Sequence, residues 1–154
     1  MPASSPGSPP PAPAPKRADR LGYLVKHAQL RLTDLTAAAL TQFGISGRQL
    51  SVLLAIAEEP PASQLDVATR MGVDRTTMVS LIDELEGKGL VERRPDPADR
   101  RRNVIALTSL GRETTGQAGA VYDEVERSFL APLSAGDAAT VRRALRLLAF
   151  PDGA

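Results

Sequence analysis

Cysteine is absent from the 154-residue chain. That excludes disulfides, thiolate metal sites and sensing by cysteine oxidation. Tryptophan is absent as well, and aromatics make up only 3%, which leaves little for stacking on single-stranded bases. No apolar run approaches the length of a membrane span, and no signal-peptide core follows the N-terminus. The expectation is a soluble cytoplasmic protein with no membrane partner. The one histidine, His27, stands beside an apolar-stripe position, Ala28, and reads as a structural side chain rather than a base. No nucleophile–base pair, glycine-rich phosphate loop or metal-ligand spacing occurs. The adjacent carboxylates Asp83-Glu84 and Glu58-Glu59 point different ways on a helix and read as solvated faces. Neither an enzyme nor a metal or cofactor is expected.

A net charge of +1, from 19 basic and 18 acidic residues, decides nothing about nucleic acid; the distribution must. Residues 93–102 concentrate five arginines against two aspartates. Apolar residues reach 42%, enough for a core, and the length suits about one domain. Residues 1–15 are Pro/Ala/Ser low-complexity sequence, and residues 1–17 read as a disordered tail. The remainder, 18–150, reads as a single domain.

In chain order, Leu21, Leu24, Val25, Ala28, Leu32, Leu35 and Ala39 predict a helix over about 18–43, ended by Gly44. Its N-terminal part reaches beyond any central core, so its apolar face asks for a second subunit. Ser46 with Gln49 forms a capping box before a stripe of Leu50, Leu53, Leu54 and Ala57. Ser63 with Asp66 opens a short helix carrying Leu65, Val67, Ala68 and Met71, and Gly72-Val73 is a turn.

Asp74 caps the next helix, in which Met78, Leu81, Ile82 and Leu85 fall at i, i+3, i+4 and i+7. Arg75, Thr76, Thr77 and Ser80 face away from that stripe. Gly87 and Gly89 stop the helix, with Lys88 suiting its C-terminal dipole. The period then changes to two short strands, Val91–Arg94 and Asn103–Leu107. Between them lies a loop, 95–102, with two prolines and three consecutive arginines. This is the outline of a winged helix-turn-helix: mainly α, with a small β-wing.

Thr108 caps a fifth helix with Ala118, Val121, Tyr122, Val125 and Phe129 in register, and Pro132 breaks it. Ser134 with Asp137 opens a sixth, with Val141, Ala144, Leu145 and Leu148. The DNA-binding lobe is thus expected at about 46–108, and helices suited to dimerisation at about 18–43 and 108–150.

The chain resembles the multiple-antibiotic-resistance regulator (MarR) family. The likeness is carried by Val67-Ala68 with Met71-Gly72-Val73-Asp74-Arg75, and by Leu85-Glu86-Gly87-Lys88-Gly89-Leu90-Val91-Glu92-Arg93. Most specific are Asp96-Pro97, Asp99-Arg100-Arg101 and Leu107-Thr108 with Gly111. It covers roughly residues 20–150, the ordered chain by periodicity. The resemblance implies a homodimer built by the terminal helices, a recognition helix at 75–86 in the major groove, and a wing in the minor groove. It also implies a small organic-acid or phenolic effector bound between the dimer layer and the DNA-binding lobe. Two departures stand out. Family members often carry a long cation near the position of Ser80, and the cysteine-free chain cannot belong to a peroxide-sensing branch.

On this reading Arg75, Thr76, Thr77 and Ser80 meet base edges or phosphates, a threonine methyl packing on thymine. Arg101 enters the minor groove, held in direction by a bidentate pair with Asp99. Arg93, Arg94, Arg100 and Arg102 are secondary phosphate contacts. His27, Arg31 and Tyr122 are candidates to line an effector site. The expected function is a dimeric regulator, a repressor of a pseudo-palindromic operator released by an aromatic or phenolic molecule. The alternative is a winged-helix module whose wing binds an acidic protein.

Overall fold

A computed structural model describes residues 16–58 and 63–151. The predicted disordered tail and the Glu59-Pro60-Pro61 helix stop fall largely or wholly outside these residues. Six α-helices and one hairpin follow in order: α1 Leu21–Leu40, α2 Gly47–Glu58, α3 Gln64–Met71, α4 Arg75–Gly87, β1 Val91–Pro95, β2 Asn103–Leu107, α5 Ser109–Leu130 and α6 Ala135–Ala149. The architecture is mainly helical, with a two-stranded antiparallel wing. None of the described helices is long and apolar enough to cross a membrane.

The residues up to Arg31 and those from Leu32 onward form two compact units. In the first, a turn of 3-10 helix at Arg17–Asp19 precedes α1. The Arg17 guanidinium lies 5.4 Å from the Tyr23 ring centroid, a cation–π distance. None of the described residues in this unit is buried.

The second unit holds the core. Helix α2 packs on α3, α4, α5 and β2, so it is buried around much of its circumference rather than along one stripe. That explains a difference from expectation: Val52 and Ile56 join Leu50 and Leu53 in the core. Ala57 is exposed because it lines an open cleft beside Arg94, Ala106 and Arg112. On α3, Val67 and Ala68 are buried but Leu65 is 66% exposed. Two residues from Val67 is about 200° around a helix, the opposite side.

The local signals behave as the spacing predicts. Ser63 and Asp66 form a reciprocal capping box. Gly72 takes a left-handed φ of 61° at the end of α3, a conformation costly for residues with a Cβ. That glycine lets the chain turn directly into α4. Met78, Ile82 and Leu85 are fully buried and Leu81 nearly so. On α5 the expected Ala118 and Val125 are buried, whereas α6 buries no residue and Leu21 and Leu24 on α1 are exposed, as helices lacking a partner in the core would be.

Candidate nucleic-acid interface

Asp74 fixes the start of α4. Its Oδ1 accepts the Thr77 N–H at 2.9 Å and its Oδ2 accepts the Thr77 hydroxyl at 2.6 Å. Those hydrogen bonds hold the Asp74 carboxyl below the usual carboxylate pKa. Thr77 is thereby half-buried and its hydroxyl proton is spent on the cap. Arg75, Thr76 and Ser80 are exposed. The outward set on this helix is therefore one guanidinium and two free hydroxyls, with Thr77 serving the cap.

The other end of α4 is tied into the body. Gln49 Nε2 donates to Glu84 at 2.7 Å, while its Oε1 accepts from the Ser46 N–H at 3.1 Å and from Lys88 Nζ at 2.9 Å. Lys88 Nζ also donates to the Gly44 carbonyl at 2.6 Å. The Gln49 amide supplies both the donor and the acceptor that this arrangement needs. Glu84 is exposed, as a solvated face predicts, but is also held by Gln49, and Lys88 caps Gly44 rather than only meeting a helix dipole.

The wing pairs Val91 with Leu107, Arg93 with Ile105 and Pro95 with Asn103. Its tip is closed by backbone bonds, Asp96 N–H to the Arg102 carbonyl at 2.8 Å and Arg102 N–H to the Asp99 carbonyl at 2.9 Å. Both aspartates turn inward onto amides: Asp96 Oδ1 accepts from Ala98 N–H at 2.8 Å, and Asp99 Oδ1 from Arg101 N–H at 3.0 Å. The expected bidentate pair between Asp99 and the Arg101 guanidinium is not what forms. The short Asp99 side chain reaches an amide two residues on, the usual geometry of such turns. Its carboxylate orders the tip through the backbone.

The arginines then divide. Arg93 is paired with Asp83 and Glu86 of α4, so it is not placed as a phosphate contact; Asp83 stays exposed while carrying that ion pair. These carboxylates raise the already high Arg93 pKa, the Asp83 hydrogen bond first. Arg94 is paired with Glu92. Arg100, Arg101 and Arg102 are exposed, and their guanidinium groups form no ion pair among the described residues.

The wing root is locked to α5. The Thr108 N–H donates to the Leu90 carbonyl at 3.1 Å. Its hydroxyl donates to the Gly89 carbonyl at 2.6 Å and accepts the Gly111 N–H at 2.9 Å. A Cβ at Gly111 would sit 1.9 Å from the Leu90 oxygen. The Leu107-Thr108-x-x-Gly111 pattern is therefore a packing device: threonine caps the helix, and glycine lets the helix press on the wing's first carbonyl.

His27 is exposed, its ring 4.1 Å from that of Tyr23. Arg31 is exposed on α1. Tyr122 is partly buried on α5, and its phenol pKa is raised by burial and then by neighbouring Glu126.

Comparison with known proteins gives a consistent result. A model of the MarR family matches residues 43–102. A protein named as a transcriptional regulator for the hcr operon of Thauera aromatica is 30% identical over 132 residues, 85% of this chain and 80% of that protein. The structure of CouR from Rhodococcus jostii RHA1 bound to p-coumaroyl-CoA is similar with 33% identity and a TM-score of 0.79, covering 89% of this chain and 96% of that one. The repressor CouR bound to a 23-mer DNA duplex gives 31% identity and a TM-score of 0.81, with coverages of 86% and 94%.

Proposed function

Because the chain belongs to the MarR family of transcriptional regulators, we propose that it acts as a homodimeric repressor on a pseudo-palindromic DNA operator and is released by a small organic effector. One observation carries the DNA reading. The β1 arginines Arg93 and Arg94 are ion-paired to carboxylates of the chain, whereas the three at the wing tip form no ion pair among the described residues. Exposed guanidinium groups held on an ordered tip suit a polyanion, gaining affinity by counterion release. Arg101 is the residue for the minor groove, whose narrow form concentrates negative potential. Arg75, Thr76 and Ser80 are the side chains for the major groove. CouR, of the same fold, has been captured on a duplex.

A homodimer is supported by apolar side chains left in water: Leu145, Leu147 and Leu148 on α6 are 51%, 67% and 71% exposed. Large apolar side chains left in water on one helix support a contact with a second copy. Two recognition helices related by a dyad would read half-sites about one helical turn apart. CouR binds an aromatic acyl thioester, which supports an aromatic or organic-acid effector for this chain. The test is anisotropy on duplexes spanning the protein's own promoter. Arg101→Ala should cost about 1–3 kcal/mol of operator affinity and lower the salt slope by about 1. Unchanged affinity would reject the assigned role.

A further inference from the structure

The C-terminal half of α4 carries Asp83, Glu84 and Glu86, three carboxylates on the helix that must approach phosphates. Glu84 is held by Gln49. Asp83 and Glu86 stand at i and i+3, neighbours on one helix face, and a single side chain from the wing answers both. Arg93 Nη2 donates to Asp83 and Nη1 to Glu86. The Arg93 backbone N–H also donates to Glu86 Oε1 at 3.3 Å. The forked planar guanidinium fits this double task in a way that an ammonium cannot.

Its position in the hairpin matters. An isolated two-stranded hairpin is marginal in water, so its direction depends on what holds it. Val91, Ile105 and Leu107 are buried at the root. Arg93 is paired opposite Ile105, and the next residues outward on β1, Arg94 and Pro95, are exposed. Among the described residues Arg93 is thus the outermost residue of β1 that is ion-paired to α4; beyond it Val104, opposite Arg94, is still buried.

We propose that Arg93 is a positioning residue that fixes the angle between wing and recognition helix. It thereby sets how well a duplex must match in both grooves to be bound. The second half of this statement rests on the DNA-binding reading; the first does not.

The cysteine-free chain allows a direct test on the full-length protein. A spin-label pair introduced by Ser80→Cys and Ala98→Cys reports the wing-to-helix distance by pulsed electron resonance, with excess unlabelled protein present. The native Arg93 should give one narrow distribution. Arg93→Met, which keeps the aliphatic stem, and Arg93→Lys, which keeps the charge, should both broaden it. Without labels, both variants should lose about tenfold in preference for the promoter duplex over a scrambled one, a loss of the size of one mismatched base pair. Their affinity for the scrambled duplex should stay nearly constant.

Three results would overturn the proposal. One is a distribution in Arg93→Met as narrow as the native one. Another is an equal fall on both duplexes, the mark of a phosphate ligand. The third is recovery of promoter affinity in the triple variant Asp83→Asn, Glu86→Gln, Arg93→Met, which would reduce Arg93 to charge cancellation. Broadening in a protein that ignores every duplex would uphold the clamp and reject DNA binding.

Discussion

Two glycines of α5 should respond to alanine with opposite signs. Intrinsic propensity favours Ala over Gly by about 0.5–1 kcal/mol in a helix interior. At Gly116 nothing lies within 4 Å of the added Cβ, so Gly116→Ala should gain about that amount. At Gly111 the Cβ would stand 1.9 Å from the Leu90 oxygen and 2.9 Å from its carbonyl carbon. Ordinary contact begins at 3.4 Å, so helix and wing root must part by about 1.5 Å (3.4 minus 1.9). Leu90 cannot yield freely, because its carbonyl accepts the Thr108 N–H and its own N–H donates to the Leu85 carbonyl at 3.0 Å. Losing the Thr108 bond costs about 1–3 kcal/mol if the carbonyl is left buried and unpaired. Overpacking adds about 1–3 kcal/mol. After the propensity gain, Gly111→Ala should destabilise by about 1–5.5 kcal/mol. Urea unfolding followed by far-ultraviolet circular dichroism, at matched protein concentration, reads both variants. A Gly111→Ala protein as stable as native, or one that follows Gly116→Ala, would refute the close-approach argument.

Other consequences are equally direct. Ile82 is fully buried, so Ile82→Ala should cost about 2–5 kcal/mol, whereas exposed Leu65→Ala should change stability by less than about 0.5 kcal/mol; chemical denaturation compares them. Asp66 and Asp74 both have lowered folded pKa values, chiefly through hydrogen bonds from Ser63 and Thr77. Their contribution is therefore fully present above the unfolded carboxylate value and is lost as pH falls through the lower folded values. The double variant Asp66→Asn, Asp74→Asn keeps capping side chains that do not titrate, so its urea midpoint should fall less steeply below about pH 4. Leu145→Asp with Leu148→Asp should shift sedimentation toward the single chain and weaken operator binding; an unchanged sedimentation coefficient would place the dimer contact elsewhere.

What the sequence made legible was local. The caps at Asp74, Ser63, Thr108 and Ser134 each depend on a partner three residues on, and the α4 stripe depends on period alone, so both could be read directly. The resemblance to the MarR family rested on short motifs in the same stretch, and it holds. What depended on distant partners was not legible. Val52 is buried because α2 is surrounded, which no single stripe encodes. Arg93 looked like its neighbours in a basic run, yet the fold brings Asp83 and Glu86 to it. Gln49 was visible as a cap but not as the bridge to Glu84 and Lys88 across 35 and 39 positions. Asp99 was expected to hold the Arg101 guanidinium, but its carboxylate accepts the Arg101 amide N–H instead. Gly111 belonged to a recognisable motif whose reason, contact with Leu90, appears only in three dimensions.

The central claim is that an arginine-tipped wing and the α4 face bearing Arg75, Thr76 and Ser80 grip one duplex together. Hydroxyl-radical and methylation footprinting on the protein's own promoter addresses both grooves at once. The account predicts major-groove protection in two half-sites about one helical turn apart, with flanking minor-groove protection that disappears in Arg101→Ala. Protection confined to one groove, or none on any promoter duplex at modest salt, would contradict it.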